Sequence, residues 1–161
     1  MHLIADNFLD KEYFTRLKEI VLSSQFPWFY QSKVNVLHSE EDLELYFTHI
    51  VYNENKITGG FYNELEPLIK KLKANKIIRV KVNLYPCTSK LITHIPHKDY
   101  DYEHKGAILY LNTNNGYTIL DDNTKIESIE NRMLFFDSNK LHSSTSCTDV
   151  KVRVNININY I

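Results

Sequence analysis

Three candidate metal ligands and one arginine stand in order in the second half of the chain. They are His97 and Asp99, with Lys98 between them, then His142 and Arg153. On a strand, alternate side chains share one face, so His97 and Asp99 would project together as an imidazole beside a carboxylate. With His142 they would make the two-histidine, one-carboxylate set that leaves positions open on Fe(II) for a cosubstrate and oxygen. Arg153 offers a planar fork that can bind both oxygens of a carboxylate. The pattern around it alternates strictly. Val150, Val152, Val154, Ile156 and Ile158 fall on one face, and Lys151, Arg153, Asn155, Asn157 and Asn159 on the other. With the apolar face beneath helices, Arg153 looks into a barrel. A buried unpaired guanidinium is costly there, and an anionic ligand would offset the cost. The same parity sets Asn83 and Tyr85 opposite Val82 and Leu84, on the ligand side.

Other residues compete for these roles. Asp101 shares the strand parity of Asp99 and is a rival carboxylate. His94 and His104, close to His97, raise a zinc alternative. A closed zinc site normally recruits cysteine, however, and Cys87 and Cys147 lack paired spacing. Thr118 reads as strand filler with a hydrogen bond to offer. His104 reads as a solvated loop residue with a substrate role as the sharper alternative. Phe26, Trp28, Phe29 and Tyr30 read as core, or as the wall of a substrate pocket. Lys140 reads as a solvated turn residue.

Two periodicities must position these groups. Up to about residue 75 the apolar spacing is helical. Asp10 is placed to cap a helix through Tyr13, Phe14, Leu17, Ile20 and Val21, ending near Ser23-Ser24. Ser39-Glu40-Glu41-Asp42 resembles a capping box ahead of Leu43, Tyr46, Phe47 and Ile50. Gly59-Gly60 breaks the chain. Tyr62, Leu65, Leu68, Ile69 and Leu72 then predict another helix, with Pro67 an objection to it. From about residue 76 the period is two. Strands are expected from Ile78 to Tyr85 and from Leu91 to Ile95. More follow over Ala107–Asn112, Tyr117–Asp121, Lys125–Ile129, Met133–Phe136, Leu141–Ser146 and Val150–Ile161, with turns at Asn114-Asn115-Gly116 and Asp121-Asp122-Asn123. Helices followed by many short strands predict an α+β chain with a jelly-roll barrel and the N-terminal helices packed on one sheet.

From about Ile77 to Ile161 the chain resembles the 2-oxoglutarate- and Fe(II)-dependent dioxygenases, most closely their prolyl-hydroxylase-like branch. Asn83-Leu84-Tyr85-Pro86, His97-Lys98-Asp99, Ala107 to Asn112, and the block from Arg132 through His142 to Arg153 match in order. The resemblance implies a double-stranded β-helix (cupin-like) core. It implies Fe(II) on His97, Asp99 and His142, with Arg153 anchoring the far carboxylate of 2-oxoglutarate. Tyr110 would assist that carboxylate, and Tyr85 and Asn83 would contact the cosubstrate. It further implies O2 as oxidant, succinate and CO2 as coproducts, and hydroxylation of a protein side chain such as Pro or of a small molecule. Three features depart from the family pattern. The turn has one glycine, Gly116, Asp137 stands where an apolar residue is usual, and little chain follows Arg153 to form a lid.

Composition is ordinary for a soluble globular protein and narrows its partners. With 161 residues, one domain spanning 1–161 is expected. A net charge of -1 gives no electrostatic footprint for nucleic acid or an anionic membrane. No apolar run approaches the ~20 residues of a membrane span. The first residues lack the regions of a signal peptide, so a cytoplasmic location with reduced thiols is expected. Heavy use of Asn, Lys and Ile points to an AT-rich microbial or viral genome. Oligomeric state has no signal. Two functions of other classes fit parts of the pattern: a non-catalytic binding module on the same barrel, and a cupin-like metal isomerase that would not need Arg153.

Overall fold

The structure is a computed structural model that describes residues 1–32 and 45–161. Its elements in order are β1 (Leu3–Ala5), α1 (Lys11–Leu22), β2 (Phe29–Gln31), β3 (Tyr46–Asn53), β4 (Lys56–Ile57), a 3-10 helix (Gly60–Leu65), α2 (Glu66–Leu72) and β5 (Ile77–Pro86). The second half contains β6 (Lys105–Tyr110), β7 (Tyr117–Ile119), β8 (Lys125–Glu127), β9 (Met133–Asp137), β10 (Ser143–Ser144) and β11 (Val152–Tyr160). An eight-stranded antiparallel sheet runs β1-β9-β6-β11-β5-β3-β2, with β4 paired to β3. A second sheet runs β10-β7-β8.

α1 starts where its cap requires. Asp10 accepts from the Tyr13 N–H at 2.9 Å and satisfies one of the orphan donors of the first turn. Pro67 falls in the first turn of α2, where its missing N–H costs nothing, so it starts that helix rather than breaking it.

The main sheet has one apolar and one polar face. Val80, Val82, Val154, Ile156 and Ile158 share a buried cluster with Phe14, Leu17 and Val21 of α1 and with Leu65 and Leu68. Each such side chain contributes roughly 1.5–3 kcal/mol on burial. On the polar face, antiparallel register sets Arg153 against Tyr85, Asn155 against Asn83, Asn157 against Lys81 and Asn159 against Arg79. The other neighbour of β11 sets Tyr110 beside Asn155, Ile108 beside Asn157 and Gly106 beside Asn159. A polar floor thus spans β5, β11 and β6. A second cluster of Ile108, Tyr110, Leu120, Ile126, Leu134 and Phe136 joins that side of the main sheet to the smaller sheet.

Two expectations need correction. The first 75 residues are not wholly helical, for they supply β1 to β4. Tyr46, Phe47 and Ile50 lie in β3, which pairs with β5 along most of its length. Their spacing mimics a helical face, but aromatic and β-branched residues favour a pleated surface once a partner strand is present. The capping box proposed at Ser39 to Asp42, and Leu43 after it, lies outside the described residues. Leu91 to Ile95 is also not a regular strand. It touches its neighbour through an isolated bridge at Thr93 and Thr145. Pro96 cannot donate to a ladder and restrains Ile95, and the Ile92 N–H goes to the Ser146 hydroxyl instead.

Candidate active site

His97 and His142 meet across a bridge in which each backbone N–H donates to the other's carbonyl at 2.9 Å. Asp99 is held beside them by its N–H to Ser138 O. One donor atom from each of His97, Asp99 and His142 lies within 4.8 Å of the others. The ring nitrogens are sorted for metal binding. Nδ1 of His97 faces Ile95 O at 3.3 Å, and Nδ1 of His142 faces Lys140 O at 3.0 Å. A carbonyl can only accept, so each Nδ1 carries the hydrogen and each Nε2 keeps its lone pair. His142 Nε2 lies 3.7 Å from Asp99 Oδ2. Burial pushes both imidazoles below their ordinary pKa, which favours the neutral, ligating form. The donor set therefore fits a divalent transition metal.

Asp99 is oriented by several partners. Arg79 Nη2 donates to Oδ1 at 2.6 Å. Ser138 Oγ and Asn159 Nδ2, the latter at 2.9 Å, donate to Oδ2. Burial alone would raise the carboxyl pKa. The Arg79 charge, His142 and these hydrogen bonds outweigh it and hold the group ionised, well below the usual range. Gly106 makes room for this arrangement, since a Cβ there would meet the Phe136 ring at 2.7 Å and Ser138 Cβ at 2.8 Å.

Arg153 lies at the other end of the floor, fully buried. Nε donates to Ser128 Oγ at 2.8 Å, Nη2 to Thr118 Oγ1 at 3.2 Å and Nη1 to Thr145 O at 3.4 Å. All three partners are neutral. Among the described residues no carboxylate pairs with it. Its guanidinium carbon lies 5.4 Å from the Tyr85 ring centre and 5.7 Å from that of Tyr110. The Tyr110 hydroxyl donates to Thr118 Oγ1 at 2.7 Å. That oxygen accepts from both Tyr110 and Arg153, so the Thr118 hydrogen is left for the cleft that Thr118 lines. Gly116 is required here, because a Cβ would meet Arg153 Cδ at 2.6 Å and Ser146 O at 2.5 Å.

Between the two ends lies a narrow cleft whose lining includes His97, His142, Tyr85, Asn83, Lys81 and Asn157. Asn83 donates to Asn155 Oδ1 at 3.0 Å. Tyr85 is stacked between Tyr46, at 5.5 Å, and His94, at 5.1 Å. Asp101 is exposed and outside the donor group. His94 hydrogen-bonds Ser144 Oγ at 2.8 Å, and His104 faces Tyr102 O at 2.8 Å, so the zinc alternative finds no cluster among the described residues. Phe26 packs in the core, whereas Phe29 and Tyr30 are exposed. Lys140 pairs with Asp121 at the surface. Both cysteines are free thiols.

Sequence reasoning gave no role to Arg79, Lys81, Tyr46 or Ser138. Arg79 and Lys81 share strand parity with Asn83 and Tyr85, a signal that could have found them. Tyr46 was hidden by the helical reading of its segment, and Ser138 carries no local signal.

No protein-family model matches the sequence, and no curated protein matches it. Solved structures do. The viral collagen prolyl hydroxylase of Paramecium Bursaria Chlorella virus-1, in its 2OG complex, superposes with a TM-score of 0.64 at 16% identity, covering 99% of this chain and 96% of that one. A prolyl hydroxylase from Trichoplax adhaerens, bound to a hypoxia inducible factor oxygen degradation domain peptide fragment, gives 0.62 at 16% identity over 99% and 83%. An oxidoreductase of the 2OG-Fe(II) oxygenase family from Burkholderia pseudomallei gives 0.67 at 10% identity over 99% and 84%. The chain thus has the jelly-roll fold of the prolyl hydroxylases and 2OG-Fe(II) oxygenases. Among its described residues no helix is long and apolar enough to cross a membrane.

Proposed function

We propose that residues 1–161 form one Fe(II)- and 2-oxoglutarate-dependent dioxygenase domain, a double-stranded β-helix with its helices packed on one sheet. It hydroxylates a protein side chain or a small molecule and releases succinate and CO2. One observation carries the reading. A two-histidine, one-carboxylate donor set and a buried arginine with no carboxylate partner among the described residues stand at opposite ends of one polar floor. Asn157 and Arg153 are four residues apart on β11, about 13 Å along the strand. A dicarboxylate lying along this floor would bridge the metal and the guanidinium. The two prolyl hydroxylase neighbours, one in a 2OG complex and one with a bound peptide, support it.

His97, Asp99 and His142 would hold iron through two Nε2 atoms and one carboxylate oxygen, and the bound iron would supply the activation of oxygen. Arg79, Ser138 and Asn159 keep the Asp99 carboxylate ionised and aimed. Arg153 and the Thr118 hydroxyl bind the far carboxylate of the cosubstrate. Tyr110 positions Thr118. The stacked Tyr46, Tyr85 and His94 form a wall that excludes water from the bound keto acid.

Thermal unfolding tests the proposal. A ligand that binds only the folded state stabilises it by RT ln(1 + [L]/Kd), about 2.7 kcal/mol at a hundredfold excess over Kd. Mn(II) should raise the melting temperature, and 2-oxoglutarate should raise it further only when Mn(II) is present. No response to either ligand would overturn the reading.

A further inference from the structure

The cleft contains polar groups that 2-oxoglutarate does not satisfy. Lys81 projects from β5 on the floor side, opposite Asn157, and lines the cleft beside His97 and His142. Among the described residues its ammonium has neither a hydrogen-bond acceptor nor an ion-pair partner. It lies over the Tyr46 ring, 5.8 Å from its centre. Burial, helped by the Arg79 charge, pushes its pKa down to about 8, so it still carries its proton at neutral pH. Two buried acceptors flank it. Among the described residues Asn83 Oδ1 and Asn157 Oδ1 have no hydrogen-bond partner, and the two residues are 3% and 7% exposed. Neither amide can turn on its own to escape this. Asn83 Nδ2 is committed to Asn155 Oδ1, and turning Asn157 would set its oxygen against the Asp99 carboxylate. A buried acceptor without a partner is costly, and the half-buried Lys81 ammonium stands beside both, so the three groups together specify a complementary ligand.

From this we infer that the substrate is a small carboxylic acid carrying N–H donors, of the free amino acid class. Its carboxylate is held by Lys81 and its N–H groups by Asn83 and Asn157. The inference rests on the proposed dioxygenase function and names the substrate class of that same cleft. The cosubstrate cannot fill the role, because 2-oxoglutarate as a dianion has acceptors and no donor. It can satisfy an ammonium but neither asparagine oxygen. Arg153 lies at the far end of the floor, so Lys81 is a separate anchor from the one proposed for the far carboxylate.

Calorimetry on the Mn(II)-loaded protein tests this without turnover. 2-Oxoglutarate is titrated first, into wild type, Lys81→Met and Lys81→Arg. The L-amino acids are then titrated singly into each protein saturated with 2-oxoglutarate. The best binder is finally compared with its carboxamide and with its desamino acid. Wild type should bind at least one amino acid and lose roughly tenfold or more in affinity for the carboxamide, as expected for a charged hydrogen bond. It should also bind the desamino acid more weakly. Lys81→Met should bind acid and carboxamide alike, and Lys81→Arg should restore the preference, with 2-oxoglutarate affinity unchanged throughout. Three results would overturn the inference: no amino acid binds wild type, the acid-over-amide preference survives in Lys81→Met, or Lys81→Met weakens 2-oxoglutarate itself. The last would assign the lysine to the near carboxylate of the cosubstrate. Failure of wild type to bind 2-oxoglutarate at all would count against the dioxygenase reading instead, and the amino acid titrations on the Mn(II) protein would still decide the role of Lys81.

Discussion

Replacing Arg79 with Met should expose the tension built into the metal-free site. Asp99 is 3% exposed and its pairing guanidinium 17% exposed, at 2.6 Å. Removing one partner of a buried ion pair leaves an uncompensated charge and typically costs about 3–5 kcal/mol. Asp99 keeps its bonds from Ser138 and Asn159, which places the expected loss near the lower figure, about 3 kcal/mol. A bound divalent cation would supply the missing positive charge. The variant should therefore recover much of its stability with Mn(II), and gain more from the metal than wild type does. Acid sensitivity should change too. With Arg79 present the folded carboxyl titrates well below 3.8, and its stabilisation is lost only as the pH falls through that depressed value. Without Arg79 burial acts with less opposition, the folded pKa rises, and the loss begins at higher pH. Urea melts of both proteins with and without Mn(II), repeated from neutral pH downward, measure all of this. A variant as stable as wild type without metal would refute the reasoning, as would equal deficits with and without it.

Four further outcomes follow from the other contacts. Arg153→Lys should weaken 2-oxoglutarate binding about tenfold or more with metal occupancy unchanged, because an ammonium cannot reproduce the planar fork. Tyr110→Phe should cost only ~1 kcal/mol, as it removes a neutral bond to Thr118; anaerobic titration of the Fe(II) protein compares them. Gly116→Ala should lower both stability and 2-oxoglutarate affinity, because the new methyl would meet the backbone oxygen of Ser146 and the stem of Arg153, and melts with the same titration would detect it. Metal-free protein should lose stability as the pH falls from 7 to 5. Burial holds His94 down at about 3, against ~6.5 unfolded, so the unfolded chain binds the extra proton in this window and gains about 2 kcal/mol by pH 5. His94→Phe should flatten that slope, measured by urea melts at each pH.

The second half of the chain was far more legible than the first. β5 and β11 alternate so strictly that their apolar and polar faces could be assigned from sequence, and the structure places Arg153, Asn83 and Tyr85 on the polar one. Strand parity is not what brings His97 and Asp99 together. They lie on an irregular segment beyond Pro96 and converge through backbone bonds to His142 and Ser138, which no local pattern reveals. The partners of Asp99 come from β5, β11 and the end of β9, so only the folded register brings them together. β3 was misread because Tyr46, Phe47 and Ile50 satisfy a helical spacing by coincidence, and that error concealed the Tyr46 wall of the cleft.

Metal content per chain decides whether His97, Asp99 and His142 form the iron site, measured on wild type, Asp99→Ala, Asp101→Ala and His142→Ala after loading with Fe(II) without oxygen and removal of free ion. One tightly held metal is expected in wild type and in Asp101→Ala, and its loss in Asp99→Ala and His142→Ala. Full occupancy in His142→Ala, or loss in Asp101→Ala with retention in Asp99→Ala, would contradict this assignment.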